Sequence, residues 1–361
     1  MDRRRAIHAV VPALAALVFA LPATAGATAY APVNRTGPKL SVPAAKLDGA
    51  LACDGPLAGA AHPPVLLVPG TTLNPTTDFS YGWEPALRQL GYPYCTIDLP
   101  GNAMADIQTA GEYVVYAIRT MHAAYGGRID IIGHSQGGMV PRWALRFWPD
   151  TRAMVDDLIG LSPSNHGTLD AIPLCEVGCA ASIWQQRSNA NFIAALNSRQ
   201  ETFAGVSYTD VYTLTDEVVV PNFGPAASSS LRGGRGAITN VAIQTVCPTD
   251  PTEHIGIGIY DDTAYALAVD AITHPGPADP GRVSRTVCLD PLMPGIDPAA
   301  FPLNLAKTNA AVATTLAAYP HVPAEPRLAC YVTATCRRPS SRRPSARSGS
   351  GSRGAAARRS P

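Results

Sequence analysis

The segment Gly133-His134-Ser135-Gln136-Gly137 has the pattern Gly-x-Ser-x-Gly, which by itself is a moderate indication of chemistry because its residues are common. The apolar run Ile129–Ile132 predicts a strand directly before it, and Gln136–Phe147 predicts a helix directly after it. A strand, a tight turn and a helix in this order form a nucleophile elbow, in which glycines permit a strained turn that exposes the serine hydroxyl. We therefore predict that Ser135 is a nucleophile. The alternative is a serine that only caps the helix.

A serine hydroxyl becomes nucleophilic when a histidine accepts its proton, and that histidine needs a carboxylate partner. In α/β enzymes with this elbow, the acid and then the histidine follow the serine along the chain. His254 fits best, because it lies in a polar loop after the predicted strand Val241–Val246. His274 ends a predicted helix and His321 lies among prolines, so both are weaker candidates for the base.

Asp216 is the predicted acid because it follows the predicted strand Val211–Leu214, at the end of the sheet where active sites form. Glu217 is the close rival, and Asp210 is expected to precede the strand, at the opposite end of the sheet. An aspartate that merely begins a turn is the alternative interpretation of Asp216.

Preorganised hydrogen-bond donors are needed to stabilise the negative charge of a tetrahedral intermediate. The first candidate is the amide of Gln136, directly after the nucleophile. The second is Thr71, in the loop Pro69-Gly70-Thr71-Thr72 after the predicted strand Val65–Val68, although an ordinary glycine turn would have the same sequence.

The elements that must position these residues alternate between strands and helices. Further strands are predicted at Tyr94–Asp98 and Leu158–Leu161, and helices at Asp106–Tyr125, Ala190–Asn197 and Asp262–Ile272. This alternation predicts the α/β class, with a mainly parallel central sheet covered by helices on both faces.

The two ends of the chain differ from the region between them. Residues 1–25 combine three arginines, an apolar run and Ala23-Thr24-Ala25, which predicts a secretory signal peptide. A membrane anchor is the alternative, but prolines interrupt the short apolar run.

Residues 337–361 contain eight arginines and no acidic residue, which predicts a disordered tail. This tail is either merely solvated or contacts an anionic cell-wall polymer or membrane surface. Without those eight, the 28 basic residues fall to 20 against 27 acidic ones, so we expect an acidic catalytic domain at 26–336 that does not bind nucleic acid.

The chain contains eight cysteines, all after the predicted signal peptide. An even number in an exported chain favours disulfides, whereas a metal site is disfavoured because no Cys-x-x-Cys pair occurs. The eight residues are Cys53, Cys95, Cys175, Cys179, Cys247, Cys288, Cys330 and Cys336.

Several segments between about Leu51 and Cys336 together resemble the family of Candida antarctica lipase B and its bacterial relatives. They include Leu66-Leu67-Val68-Pro69-Gly70-Thr71, Trp83 with Gln89-Leu90-Gly91-Tyr92, Ser135-Gln136-Gly137-Gly138, Ser182-Ile183-Trp184-Gln185-Gln186, Thr215-Asp216-Glu217-Val218-Val219, and Val246-Cys247 leading to His254. The resemblance implies an α/β-hydrolase fold, the triad Ser135, Asp216 and His254, and an oxyanion hole at Thr71 and Gln136. It also implies an acyl pocket partly lined by Gln186, Val218 and Val219, and the disulfides Cys53–Cys95, Cys247–Cys288 and Cys330–Cys336.

Two features depart from that family. Cys175 and Cys179 have no counterpart, and we expect them to pair and stiffen the entrance to the site. A tryptophan that shapes the alcohol pocket in the family is replaced by His134, which we expect to form a wall of that pocket.

We therefore expect a secreted, monomeric carboxylic ester hydrolase that needs no metal or cofactor. A triacylglycerol lipase acting on an ester or lipid at a lipid–water interface is the main hypothesis. The alternatives are a short-chain carboxylesterase or polyester depolymerase and, outside the enzymes, an envelope-binding protein that keeps the fold.

Overall fold

A computed structural model describes residues 29–335 of the 361-residue chain, so the predicted signal peptide, the basic tail and Cys336 lie outside the described residues. Seven strands form one sheet in the order β1-β3-β2-β4-β5-β6-β7, in which β1 is antiparallel to β3 and every other neighbouring pair is parallel. The strands are β1 Leu51–Asp54, β2 Val65–Val68, β3 Tyr94–Ile97, β4 Ile129–His134, β5 Val155–Leu161, β6 Ser207–Tyr212 and β7 Ala237–Ala242.

Helices connect the strands and cover both faces of the sheet. They are α1 Ala44–Asp48, α2 Pro75–Asp78, α3 Trp83–Leu90, α4 Ile107–Tyr125, α5 Gln136–Phe147, α6 Ala171–Leu174, α7 Ala181–Gln185, α8 Asn191–Leu196, α9 His254–Ile259, α10 Asp262–Thr273 and α11 Phe301–Ala318. The predicted helix after Asp106 begins where the Asp106 carboxylate accepts the Gln108 amide, and it ends at Gly126 in a left-handed conformation. Short 3₁₀ turns occupy Pro149–Ala153, Gly224–Ala226, Ile243–Thr245, Arg285–Leu289 and Cys330–Val332.

The core has two layers because side chains of a strand alternate between the faces of a sheet. In β2, Leu66 and Val68 pack in the layer that contains α4 and α5, whereas Val65 and Leu67 pack with α3 and α10. All four side chains are fully buried, as expected for a strand with helices on both of its faces.

Two predicted strands are displaced in the structure. The strand predicted at Val211–Leu214 is β6, Ser207–Tyr212, so Asp210 lies inside it rather than before it. The strand predicted at Val241–Val246 is β7, Ala237–Ala242, and a 3₁₀ turn follows. β6 begins at the polar residue Ser207 and β7 at the exposed Ala237, because the hydrogen bonds between strands come from the backbone and need no apolar side chain. The buried Asp210 carboxylate accepts from Asn165 Nδ2 at 3.1 Å.

Three disulfides lie within residues 29–335: Cys53–Cys95, which joins β1 to β3, Cys175–Cys179 and Cys247–Cys288. The predicted partner of Cys330 is Cys336, so that pairing lies outside the described residues. In the part of the chain that the structure describes, no helix is long and apolar enough to cross a lipid bilayer.

Candidate active site

Ser135 lies in the sharp turn between β4 and α5, with φ of 54° and ψ of −122°. This left-handed conformation is strained for a residue with a side chain. The flanking glycines make the turn possible, because a Cβ at Gly133 would lie 2.1 Å from Gly137 O and one at Gly137 would lie 2.0 Å from Val68 O. The Gly-x-Ser-x-Gly spacing is therefore a steric requirement of this turn.

Asp216 and His254 form a buried pair behind Ser135. His254 Nδ1 lies 3.0 Å from Asp216 Oδ1 and 3.1 Å from Oδ2. Because the carboxylate accepts at Nδ1, the proton of a neutral imidazole is held there and Nε2 is left as the base. Asp216 follows β6 and His254 is the first residue of α9, after β7, so both lie at the carboxyl ends of parallel strands.

Further donors hold the Asp216 carboxylate in place. Its Oδ1 accepts the Val218 and Val219 amides at 3.0 and 2.8 Å, and its Oδ2 accepts Asn222 Nδ2 at 3.0 Å. Burial alone would raise the pKa of Asp216, but the charge and hydrogen bond of His254 and the Val219 amide together lower it below its usual value. Asp216 is therefore kept ionised beside the histidine.

Two glutamates orient the backbone at His254. Glu217, the sequence rival of Asp216, accepts the His254 amide at 3.1 Å, so its carboxylate contacts the backbone of the histidine and not the imidazole. Glu253 caps α9 by accepting the Ile255 and Gly256 amides at 2.6 and 3.1 Å. No hydrogen bond joins Ser135 Oγ to His254 among the described residues, and catalytic contacts in empty sites are often long. Both residues border the same cavity.

The loop after β2 brings Thr71 beside the start of α5. Thr71 Oγ1 donates to Gln136 Oε1 at 3.3 Å and accepts from Gln186 Nε2 at 2.9 Å. Gln186 is fixed in turn by Gln136 Oε1 at 3.0 Å and by the Ser164 hydroxyl, which donates to its Oε1 at 2.8 Å. The Gln136 amide opens α5, where amides have no acceptor within the helix. This arrangement can hold two donors toward an oxyanion beside Ser135.

A cavity of about 280 Å³ opens in front of Ser135. Gln186, Val218 and Val219, the predicted acyl-pocket residues, all line it, together with Thr71 and His254. Its other apolar lining residues are Leu73, Ala171, Leu174, Ile183, Ile255, Val312 and Leu316. The cavity thus suits an apolar group whose reactive end lies at the serine.

The mouth of the cavity lies between α6 and α11. Leu174, Val218 and Leu316 line the cavity, yet they are 56, 42 and 41 % exposed. Directly after Leu174, the disulfide Cys175–Cys179 closes a five-residue loop, and Cys179 pairs with the backbone of Val322 after α11. The disulfide closes the loop after α6, and the backbone bridge between Cys179 and Val322 joins that loop to the chain after α11.

His134, which we expected to form a pocket wall, borders the cavity, but its imidazole is fully buried. Nδ1 lies 2.9 Å from Asp78 Oδ1 and Nε2 lies 3.1 Å from the His254 carbonyl oxygen. Both ring nitrogens are therefore occupied by protein groups. Sequence reasoning missed Asp78, which is 56 residues away and carries no motif.

His274, a weaker candidate for the base at the end of α10, does not border the cavity. His274 follows α10, where its Nδ1 is 3.4 Å from Asp270 Oδ1. This contact fits the predicted role of a helix end.

The chain is similar to known lipases over most of its length. It is 36% identical to lipase B of Pseudozyma antarctica over 224 residues, which are 61% of this chain and 64% of that protein, so this match spans less than two thirds of the relative. The crystal structure of Aspergillus fumigatus lipase B superimposes with a TM-score of 0.77 and 31% identity, covering 82% of this chain and 74% of that one. No protein-family model matches. The similarity confirms the predicted α/β-hydrolase fold.

Proposed function

Because this chain belongs to the lipase B-like family of α/β-hydrolases, we propose that it is a serine carboxylic ester hydrolase, and specifically a triacylglycerol lipase. The observation that carries the proposal is the placement of Ser135 in a strained elbow that shares one apolar cavity with His254, itself paired with Asp216.

In the first half of the proposed reaction, Ser135 Oγ attacks the ester carbonyl carbon while His254 Nε2 accepts the hydroxyl proton. The carbonyl oxygen becomes an oxyanion that the Thr71 and Gln136 donors stabilise. When the carbon–oxygen bond to the alcohol breaks, His254 returns the proton to the departing alkoxide, and Ser135 carries the acyl group. Asp216 keeps the imidazole oriented and stabilises its protonated form.

In the second half, water attacks the acyl carbon and gives a proton to His254. The oxyanion forms again, the bond to Ser135 Oγ breaks, and the proton passes back to the serine. The products are a carboxylic acid and the regenerated enzyme. The steps combine nucleophilic attack by Ser135, proton transfer through His254 and stabilisation of the oxyanion.

The apolar cavity and its rim support a lipid ester as the substrate. Leu174, Val218 and Leu316 present apolar surface to solvent at the mouth, where a lipid–water interface would cover it. The three disulfides support an extracellular location, since such bonds persist outside the reducing cytosol.

A fluorophosphonate probe tests the nucleophile. We expect the wild type to be labelled at Ser135, the Ser135→Ala variant to be unlabelled, and the matched variant Ser229→Ala, which removes a buried hydroxyl that does not border the cavity, to be labelled. An unlabelled wild type, or equal labelling of Ser135→Ala, would overturn the enzymatic proposal.

Substrate length tests the lipase assignment. Hydrolysis of p-nitrophenyl butyrate, p-nitrophenyl palmitate and an emulsified triglyceride should be compared on the same preparation. Turnover of the emulsion is the expected result. Turnover of p-nitrophenyl butyrate alone would instead indicate a short-chain esterase. Turnover of polyester film but not of the emulsified triglyceride would indicate a depolymerase.

A further inference from the structure

A second histidine–aspartate pair lies directly behind the proposed triad and has no part in the steps above. His134 Nδ1 is 2.9 Å from Asp78 Oδ1, and both side chains are completely buried. A buried ionisable pair is costly unless its hydrogen bonds are satisfied. The bonds of this pair reach three parts of the site.

The first connection runs from Asp78 to the oxyanion loop. Asp78 Oδ2 accepts the Gly70 amide at 2.8 Å, and Gly70 directly precedes Thr71. The loop is also held tightly against the elbow, since a Cβ at Gly70 would lie 3.2 Å from Ser135 Cβ and 3.4 Å from His134 Nδ1. Asp78 therefore sets the distance between the loop and the nucleophile.

The second connection runs from His134 to the backbone of the proposed base. His134 Nε2 lies 3.1 Å from the His254 carbonyl oxygen. Helix α9 rests on the same ring, because a Cβ at Gly258 would lie 2.2–2.4 Å from three of its atoms. His134 is the last residue of β4 and directly precedes Ser135. Its imidazole therefore joins the elbow to α9, the helix that begins with His254.

The partners determine where the protons of His134 lie. A carbonyl oxygen can only accept, so Nε2 carries hydrogen. Asp78 Oδ2 accepts the Gly70 amide, and its Oδ1 faces His134 Nδ1 at 2.9 Å. Burial lowers the pKa of His134, but the charge and hydrogen bond of Asp78 outweigh it and raise that pKa above its ordinary value.

We propose that His134 and Asp78 form a positioning pair that holds the oxyanion loop, the nucleophile elbow and the His254 backbone in register. This inference rests on the proposed function. His134 and Asp78 are positioning residues, since Asp78 does not border the cavity and both ring nitrogens of His134 bind protein groups.

Two variants of Asp78 separate geometry from charge. In Asp78→Asn, the amide oxygen can accept from Gly70 and the amide nitrogen can donate to a neutral His134, which still donates from Nε2, so all three hydrogen bonds persist. Asp78→Ala removes two of them. We expect Asp78→Ala to lower kcat about 100-fold, because misplacing catalytic groups by 1 Å has an effect of that order. We expect its KM to stay within about threefold, and Asp78→Asn to keep kcat within about fivefold.

The measurement is kcat on p-nitrophenyl butyrate per active site, with sites counted by fluorophosphonate labelling to completion. Glu112→Ala is the matched control, because Glu112 is a buried carboxylate that accepts the Ser41 and Val42 amides and does not border the cavity. We expect this control to lose stability and keep kcat.

Equal kcat per labelled site in wild type and Asp78→Ala would overturn the inference and leave the pair a role in stability alone. If Asp78→Ala does not fold, the uncharged double variant His134→Gln with Asp78→Asn replaces it: tenfold lower kcat than Asp78→Asn supports the inference, and equal kcat overturns it. A wild type that is never labelled would instead refute the proposed function itself.

Discussion

A methyl group added at Gly137 has no room in this structure. Its carbon would lie 2.0 Å from Val68 O, 2.6 Å from Val68 C and 2.7 Å from Pro69 O. All three atoms belong to the backbone that leads from β2 into the oxyanion loop, so no side-chain rotation can relieve the contact. Gly137→Ala must therefore separate α5 from that loop.

The size of the effect follows from these distances. Ordinary contact begins near 3.4 Å, so relief of the 2.0 Å approach needs about 1.4 Å of relative movement. Displacements of about 1 Å between catalytic groups lower rates roughly 100-fold, which corresponds to about 2.7 kcal/mol in the barrier. Overpacking should also lower the free energy of unfolding by about 1–3 kcal/mol.

The assay is kcat/KM on p-nitrophenyl butyrate, with urea unfolding measured on the same preparations. Gly233→Ala is the control, because a Cβ there meets no atom within 4 Å, and we expect it to match the wild type in both measurements. If Gly137→Ala kept kcat/KM within threefold of wild type, the close approach of elbow and loop would not be what positions Ser135.

Three further outcomes are expected. Asp216→Asn should lower kcat by about 10³–10⁴-fold without changing the circular dichroism spectrum, because the amide cannot accept all the donors that the carboxylate accepts. Replacing Cys175 and Cys179 together by serine should lower the free energy of unfolding by less than about 3 kcal/mol, since the closed loop is short, while speeding proteolysis there. Burial and the neighbouring Asp130 raise the pKa of Asp157 to about 9, so the folded protein holds a proton that the unfolded chain releases above about pH 4. Stability then falls as pH rises between those values, and Asp157→Asn should gain Tm over wild type at pH 8 but not at pH 4.

Elements with strong local patterns could be predicted from the sequence. Val65–Val68 and Gln136–Phe147 have the predicted bounds, because an apolar run between prolines and a helix after a glycine turn are both local signals. The strand β6 was misplaced because its first residues are mostly polar, and Asp210 is buried there with its carboxylate bonded to Asn165. The edge strand β1, Leu51–Asp54, was missed because it is mostly exposed and contains no β-branched or aromatic residue.

The same distinction holds for the site. Chain order led to Asp216 and His254, because the fold places the carboxyl ends of successive parallel strands at one edge of the sheet. Glu217 could not be assigned in this way. Adjacent carboxylates have the same order in the chain, and only the structure separates the one that meets the imidazole from the one that meets the His254 amide.

His134 is the residue for which position in the sequence was least informative. Its place beside Ser135 suggested contact with substrate. The sharp turn lies at Ser135, however, and the imidazole of His134 is buried in the protein interior. Its environment is built by α2 and α9, which are distant in sequence and supply a carboxylate and a carbonyl oxygen. His134 is bonded to both Asp78 and the His254 carbonyl oxygen, so an apolar residue at this position would leave the buried Asp78 without its histidine partner. Among the described residues, substituting His134 alone would leave the buried Asp78 carboxylate with the Gly70 amide as its hydrogen-bond donor.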